Sequence, residues 1–261
     1  MCVCLPVCGC VCVKNSKIYL ALAAKISLFR TKILVAPTSR NIFTFALENP
    51  HRNMRVKNIL FDFGNVLFDL DLGKTGHIMQ QMLGERYETA RQKLEHNKVF
   101  EAYEVGGLST SEFVNALRFA SDPPLSEAQV VEAWNSIFIG MPAARFEMLL
   151  QLRQRYKVFL LSNINDLHER WIAAYMERKH GIVDFEHRYF DGVYYSHLIR
   201  LRKPTRDIYE YVLADAELVP EETVFFDDLE INVQAALEVG IQGILHPAGT
   251  DIIERMREYL D

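Results

Sequence analysis

Five short apolar runs without polar alternation are the main feature of the hydrophobic pattern. Their Ile, Leu, Val, Phe and Tyr content is typical of β-strands covered on both faces. The runs lie at 57–62, 156–161, 189–195, 222–227 and 241–245. Amphipathic segments typical of helices separate the later runs, at 143–155, 166–180, 205–217 and 230–239. This alternation predicts an α/β fold with a Rossmann-like, doubly wound parallel sheet.

The stretch 73–142 is too long to be one crossover between the first two strands. Its pattern predicts four helices, at 74–84, 86–103, 109–120 and 126–139. Ser109 with Glu112 and Ser126 with Gln129 have the spacing of capping boxes, which mark helix starts. We therefore expect 73–142 to be an inserted helical-bundle cap over the carboxyl ends of the strands. The core would then comprise 54–72 and 143–261.

The first 53 residues differ from the rest of the chain in charge. They contain seven Lys or Arg and one acid, whereas residues 54–261 carry a net charge of −11. An acidic main domain argues against nucleic acid as a partner. The apolar stretch 19–36 is interrupted by Lys25, Arg30 and Lys32, so it is a poor membrane span. We expect 1–53 to lie outside the fold, as a targeting segment or an upstream extension from a mis-assigned start before Met54.

The cysteines indicate a reducing compartment. All five lie within the first twelve residues, and the body of the chain has none. The body therefore has neither a disulfide framework nor a thiolate site, and we expect a cytoplasmic protein.

Polar residues that follow the apolar runs are the candidates for chemistry. Asp62 ends the first run, and Gly64 allows a tight turn directly after it. Carboxyl ends of strands are where open α/β sheets bind ligands. Ser162 and Asn163 follow the second run, where a hydroxyl and an amide at a helix start can bind phosphate. Both residue types are also common helix caps, so this pair is weak evidence by itself.

The pair Asp227-Asp228 is the most specific signal. Two adjacent carboxylates at the end of an apolar strand repel each other and need a nearby cation. Mg²⁺ prefers oxygen ligands, and Asp62, Asp228 and a backbone carbonyl would supply them. Lys203, in the segment before the helix 205–217, would offset phosphate charge. These residues favour a small phosphorylated metabolite as the binding partner.

In order and spacing these segments resemble the four motifs of the haloacid dehalogenase superfamily. The resemblance covers about 56–261, with the insertion where that family carries a small helical cap. It implies a Mg²⁺-dependent phosphatase that forms an aspartyl-phosphate. The implied catalytic residues are Asp62, Ser162 and Lys203. The implied phosphate-binding residues are Ser162, Asn163, Lys203 and Asn65, and the implied metal ligands are Asp62, Gly64, Asp227 and Asp228. The segments FDFGNV, VFEAYEVGGLSTSEF, LLSNIN, LRKP and FFDDLEINV are most similar to a bacterial sugar-1-phosphate phosphatase subgroup.

The chain departs from that family pattern at Gly64, where most of its phosphatases have an aspartate that acts as general acid and base. Three interpretations follow. The leaving group could need little protonation, as with an anomeric or acyl phosphate. An acid could come from elsewhere, with the candidates Glu101, Tyr103, Glu104, Asp69 and Asp71. The enzyme could instead attack carbon, as dehalogenases of the superfamily do. A non-catalytic protein that binds a phosphorylated ligand is a further alternative.

Deletion of residues 1–53 is expected to change neither the free energy of unfolding nor the rate of phosphate release, because the predicted core begins after them. Urea unfolding and phosphate release of the fragment 54–261 and the full chain test this. A truncated chain that fails to fold would show that the segment belongs to the core.

Overall fold

A computed structural model describes residues 56–260, and the expectations for 1–53 and for a start at Met54 lie outside this range. No helix within the described residues is long and apolar enough to cross a bilayer.

The predicted parallel sheet is confirmed. Its strands are β1 (Asn58–Phe61), β4 (Lys157–Ser162), β5 (Gly192–Tyr195), β6 (Thr223–Asp227) and β7 (Gln242–Leu245). They lie in the order β5-β4-β1-β6-β7 and all pair in parallel. Leu60 is in register with Phe159 on one side and Phe225 on the other. The central position of β1 places its carboxyl end between those of β4 and β6.

Helices cover both faces of this sheet. On one face lie α6 (Ala143–Leu152), α7 (Asp166–His180) and α12 (Ile252–Leu260), which pack on Ile59 and Phe61. On the other face lie α10 (Arg206–Asp215) and α11 (Glu230–Glu238), which pack on Leu60. Successive residues of a strand point to opposite faces, so an unbroken apolar run is required for a strand buried on both sides.

The inserted segment folds into five α-helices with a hydrophobic cluster of their own, and we call these helices the cap. They are α1 (Lys74–Leu83), α2 (Tyr87–His96), α3 (Val99–Glu104), α4 (Thr110–Arg118) and α5 (Glu127–Asn135). Both predicted capping boxes form, at Ser109 with Glu112 and at Ser126 with Gln129. Apolar residues of all five helices meet in the cluster, among them Met79, Leu94, Tyr103, Phe113 and Val130.

Three boundaries differ from the sequence prediction. The helix expected over 86–103 is two helices, because Lys98 adopts a left-handed conformation with φ of 52°. The helix expected over 126–139 ends at Asn135, and Phe138–Gly140 forms strand β3 against Asp69–Leu70, strand β2. The strand expected from 189 begins at Gly192, since Phe185–Tyr189 is a short helix, α8. The short helix α9 (Ser196–Ile199) and the C-terminal α12 were not predicted. Apolar residues of short helices are hard to distinguish from strand residues by pattern alone.

A buried histidine joins the cap to the core. His168, in α7, lies with its Nε2 3.2 Å from the carbonyl oxygen of Trp134, which belongs to α5. Its Nδ1 lies 3.2 Å from the side-chain amide nitrogen of Asn165. A neutral ring that donates from Nε2 and accepts at Nδ1 satisfies both contacts. Burial lowers the pKa of His168 from 6.5 to about 4.

Replacement of His168 by Gln should therefore reduce the loss of stability in acid. The pKa in the folded chain lies below the ordinary value, so folding is weakened as the pH falls from about 6.5 to about 4. Between pH 7.5 and 5 the wild type should lose about 2 kcal/mol through this group. Urea unfolding at both pH values measures it, with the exposed His187→Gln as control. Equal losses in wild type and His168→Gln would contradict the assignment.

Candidate active site

The polar residues selected from the sequence converge at the carboxyl edge of the sheet. Asp62 follows β1, Ser162 closes β4, and Asp227 closes β6. Lys203 reaches the same point from the segment that precedes α10. Asp62, Ser162, Lys203 and Asp228 line one cavity of about 550 Å³ between the sheet edge and the cap. Parallel strands bring their ends together at one edge, so residues far apart in sequence become neighbours.

Lys203 is the centre of this arrangement. Its Nζ lies 2.7 Å from Asp62 Oδ1 and 2.7 Å from Asp227 Oδ2, and its side chain is 2% exposed. Asp227 is held in turn by the Leu229 amide, which donates to Oδ1 at 2.9 Å, and by the Asn232 side chain at 2.9 and 3.1 Å. The ammonium group is thus fixed between two carboxylates and is almost entirely buried.

Burial and charge act in opposite directions on these groups. Burial raises the pKa of Asp62 from 3.8 to about 7, although Lys203 acts against the shift. Burial by itself would lower the pKa of Lys203, but the two carboxylates outweigh it and the pKa lies above its usual value. Asp227 adds to the raised pKa of Asp62. Burial is thus the main reason that the pKa of Asp62 lies above its ordinary value.

Asp228 is more open than Asp227 and is oriented by Asn65. The Asn65 side-chain amide donates to Asp228 Oδ2 at 3.0 Å, and its carbonyl oxygen accepts the Leu70 amide at 3.2 Å. Asn65 adopts φ of 55°, a left-handed conformation that Asn tolerates better than most residues. Burial raises the pKa of Asp228. The side chain of Asn65 thus links the turn after β1 to the turn after β6.

Asn163 holds the segment that carries the lysine. Its side-chain amide donates to the Lys203 carbonyl at 2.9 Å, and its side-chain oxygen accepts the Lys203 amide at 2.9 Å. Both ends of the Asn163 side chain are thereby used. The Ser162 side chain, nearly buried, lies on the cavity wall and makes no side-chain hydrogen bond within the described residues. Its hydroxyl is available to a ligand.

The carboxylates are placed to hold a divalent cation. Asp62, Asp227 and Asp228 can each present an oxygen such that all three lie within 4.8 Å of one another. An all-oxygen donor set of this kind suits Mg²⁺ rather than a transition metal. A second reason to expect a cation here is that three carboxylates share the single ammonium group of Lys203. Asp227 is saturated by hydrogen bonds, and Asp62 and Asp228 are the carboxylates that line the cavity.

The Leu70 side chain lies against Gly64, and its flexible end would have to move to admit an acid at position 64. A Cβ atom built on Gly64 would lie 2.7 Å from Leu70 Cδ1, closer than carbon atoms approach. The Leu70 side chain, at the start of the cap connection, occupies the space that an aspartate would need. The cavity wall beside Asp62 is therefore apolar at this point.

Of the acid candidates, Glu104 lies on the cavity wall, whereas the other four are not among the lining residues. Arg202 Nη2 is 2.8 Å from Glu104 Oε2, and burial raises the pKa of Glu104. Asp69 pairs with Arg145 at 2.8 Å. The Tyr103 hydroxyl donates to or accepts from Thr110 at 3.0 Å and accepts the Leu167 amide. Glu101 and Asp71 are exposed.

Sequence reasoning missed Arg202 and the apolar part of the cavity wall. Arg202 is adjacent to Lys203 in the chain, which was the one signal that could have drawn attention to it. The apolar wall comes from cap helices whose buried faces look in sequence like ordinary packing. Nothing in a helical pattern distinguishes a residue that fills a core from one that lines a cavity.

Comparisons with known proteins identify the family of this chain. Residues 56–240 match the family of haloacid dehalogenase-like hydrolases. D-ribitol-5-phosphate phosphatase from Bacteroides thetaiotaomicron is 29% identical over 196 residues, covering 75% of this chain and 94% of that protein. A sesquiterpene phosphatase from Aspergillus oryzae is 27% identical over 191 residues, covering 72% and 88%.

A solved structure is similar as well. A HAD family enzyme from Bacteroides thetaiotaomicron, in complex with magnesium and inorganic phosphate, is 33% identical with a TM-score of 0.68. The match covers 77% of this chain and 100% of that one. The family resemblance inferred from the sequence motifs is thereby confirmed.

Replacement of Lys203 by Met should destabilise the fold by about 3 to 5 kcal/mol at pH 8, since it leaves Asp62 and Asp227 buried without their cation. The loss should be smaller at pH 5, where Asp62, with its raised pKa, becomes neutral. Urea unfolding with EDTA present measures both values.

Lys57→Met is the matched control. Lys57 pairs with Glu222 at 2.8 Å, but its side chain is 60% exposed, and such pairs contribute about 0 to 1 kcal/mol. Similar losses for both variants would contradict a central role of Lys203.

Proposed function

The chain belongs to the haloacid dehalogenase-like hydrolases, and from that premise we propose that it is a Mg²⁺-dependent phosphatase of a small phosphorylated metabolite. The observation that carries the proposal is the group of Asp62, Lys203 and Asp228 on one cavity wall. It supplies a nucleophile, a cation for phosphate and a ligand for a metal. The relatives named as phosphatases, and the magnesium and phosphate complex of a similar enzyme, support it.

In this proposal Asp62 and Asp228 hold the metal, with the Gly64 carbonyl as a third protein ligand. The carboxylate oxygens fit the preference of Mg²⁺ for oxygen ligands. When bound, the cation neutralises negative charge on the carboxylates and on the phosphate. Asp227 accepts hydrogen bonds from Lys203 and from Asn232, and these contacts orient the ammonium group. Asn65 positions Asp228 through its 3.0 Å hydrogen bond.

Asp62 acts as the nucleophile. A carboxylate oxygen of Asp62 forms a bond to phosphorus while the bond to the ester oxygen breaks, which gives an aspartyl-phosphate and the alcohol. Lys203, the Ser162 hydroxyl and backbone amides after β4 bind the phosphoryl oxygens, where charge is highest. Asn163 holds the backbone of Lys203, so that the ammonium stays in place during the reaction. Water then cleaves the aspartyl-phosphate to release phosphate.

Glu104 is the residue placed to protonate the departing alkoxide. It lies on the cavity wall, and burial favours its protonated form. Arg202 holds it toward the core side of the cavity. The carbon–halogen alternative is less well supported, because a halide needs no proton and the reaction no metal. A reaction without a metal would leave the adjacent carboxylates of Asp62, Asp227 and Asp228 with no divalent cation to offset their repulsion.

The sequence motifs and the relatives both bear on the organic group of the substrate. A sugar 1-phosphate, favoured by the sequence motifs, has an anomeric leaving group that needs little protonation. The names of the relatives cover both a polar sugar-alcohol phosphate and an apolar sesquiterpene compound. Relatives at this identity therefore support the phosphatase activity without selecting the organic group.

Replacement of Asp62 by Asn should lower kcat for p-nitrophenyl phosphate by about 10⁴-fold or more, because the amide is not a nucleophile. Phosphate release with Mg²⁺ and with EDTA measures it, and EDTA should also abolish wild-type turnover. Asp71→Asn, at an exposed position off the cavity, is the control and should turn over normally. Near-normal turnover by a folded Asp62→Asn protein would remove Asp62 as nucleophile.

A further inference from the structure

The cavity above the catalytic residues extends into the hydrophobic interior of the cap. Its walls there are built by buried apolar side chains of α1, α2, α4 and α5, among them Met79, Leu83, Ala90, Leu94, Leu117 and Trp134. Most of these residues are less than 10% exposed and belong to the hydrophobic cluster of the cap. The cap thus encloses the space with residues that otherwise form a core.

The cavity as a whole, with its catalytic end, is far larger than the voids of a packed core. Protein interiors contain few voids larger than a water molecule, because empty volume forfeits van der Waals contacts. The cavity measures about 550 Å³. Its volume lies in the range of sites for small organic ligands. Apolar cavities bind apolar molecules and exclude water.

Most polar side chains on the cap side of this cavity already form hydrogen bonds or ion pairs with other protein groups. Thr75 donates to the Ala133 carbonyl at 2.8 Å. Arg91 pairs with Glu95 and with Glu88. Glu104 pairs with Arg202 at 2.8 Å. Among the described cap residues on the wall, Tyr87 and Glu104 have a side-chain oxygen that makes no hydrogen bond within the described residues.

A sugar or sugar-alcohol group carries several hydroxyls, each of which needs a partner once buried. A buried hydroxyl without a hydrogen bond weakens binding by roughly 5- to 150-fold. Tyr87, together with a Glu104 side chain that is already paired with Arg202, cannot satisfy such a set. The wall that faces the organic group of the substrate therefore disfavours polyols and favours hydrocarbon.

We propose that the cap cavity binds the hydrocarbon part of the substrate, and that the substrate class is phosphate monoesters of apolar alcohols with an extended alkyl or prenyl chain. The inference rests on the proposed phosphatase function. The phosphate would lie against Asp62, Lys203 and Ser162, and the chain would run past Leu70 into the cap. Leu70, which fills the space beside Gly64, continues the apolar wall down to the phosphate end.

A series of linear monoesters from ethyl to decyl phosphate tests the proposal with the full chain and Mg²⁺. Each buried methylene should raise kcat/KM by about 3- to 4-fold until the cavity is filled. Ribitol 5-phosphate and glucose 1-phosphate serve as polar comparisons and should be poorer substrates than octyl phosphate. A flat series, with the polyol esters hydrolysed faster, would overturn the inference and leave the phosphatase activity intact.

A matched pair of variants tests where the hydrocarbon chain of the substrate binds. Ala90→Leu adds three carbon atoms to the cavity wall and should lower kcat/KM for decyl phosphate by about tenfold or more, equivalent to two methylenes of lost room. Ala116→Leu adds the same volume at a partly buried cap position off the cavity and should leave the chain-length profile unchanged. Equal effects of the two variants would show that the hydrocarbon chain of the substrate does not bind beside Ala90. If Ala90→Leu does not fold, the wild-type series decides.

Binding measured without turnover tests the apolar site independently of the proposed phosphatase activity. Calorimetric titration of the full-length Asp62→Asn protein with ethyl, hexyl and decyl phosphate should show affinity that increases with chain length. If wild type hydrolyses none of the esters but the affinity still increases, the proposed function fails and the apolar site stands. If neither turnover nor affinity depends on chain length, the apolar site is wrong.

Discussion

Lys203 is held out of water between Asp62 and Asp227, and the position of three chain segments depends on that contact. Each carboxylate comes from the end of a different strand, and the lysine comes from the segment before α10. The two contacts of 2.7 Å tie these segments to one point. Removing water from charged groups is costly, so such a group persists only when the partners are well placed. Asn163, Asn232 and the Leu229 amide supply the placement by hydrogen bonds to the lysine backbone and to Asp227.

The same constraint leaves the site with excess negative charge. Asp62 has a raised pKa even beside the ammonium group, and Asp228 lies on the same wall. A divalent cation at the carboxylates would bring Asp62, Asp227, Asp228 and Lys203 to formal neutrality. The stability of the metal-free fold and the affinity for ligands are therefore linked through the same side chains.

The core and the cap present different surfaces to the cavity. The sheet edge presents charged and polar groups that suit phosphate, whereas the cap presents a largely apolar wall. The apolar wall reaches down to Gly64, where Leu70 takes the space of an acid. His168 and Asn165 connect the two parts through Trp134, so the cap is held over the strand ends by buried polar contacts. The fold thereby brings a polar reaction centre and an apolar compartment into one cavity.

The sequence by itself determined the strands, the parallel sheet and the residues at the strand ends, because a strand covered on both faces needs an unbroken apolar run. Asp62, Ser162 and Asp227 were predictable in this way, and so were the capped helices at Ser109 and Ser126. Only the tertiary structure decided which carboxylates hold Lys203, that Leu70 packs against Gly64, and that Glu104 rather than Glu101 reaches the cavity. These depend on contacts between residues distant in the chain. The cap cavity belongs to the same class, since a helical pattern records which face is buried but not whether the space it faces is filled.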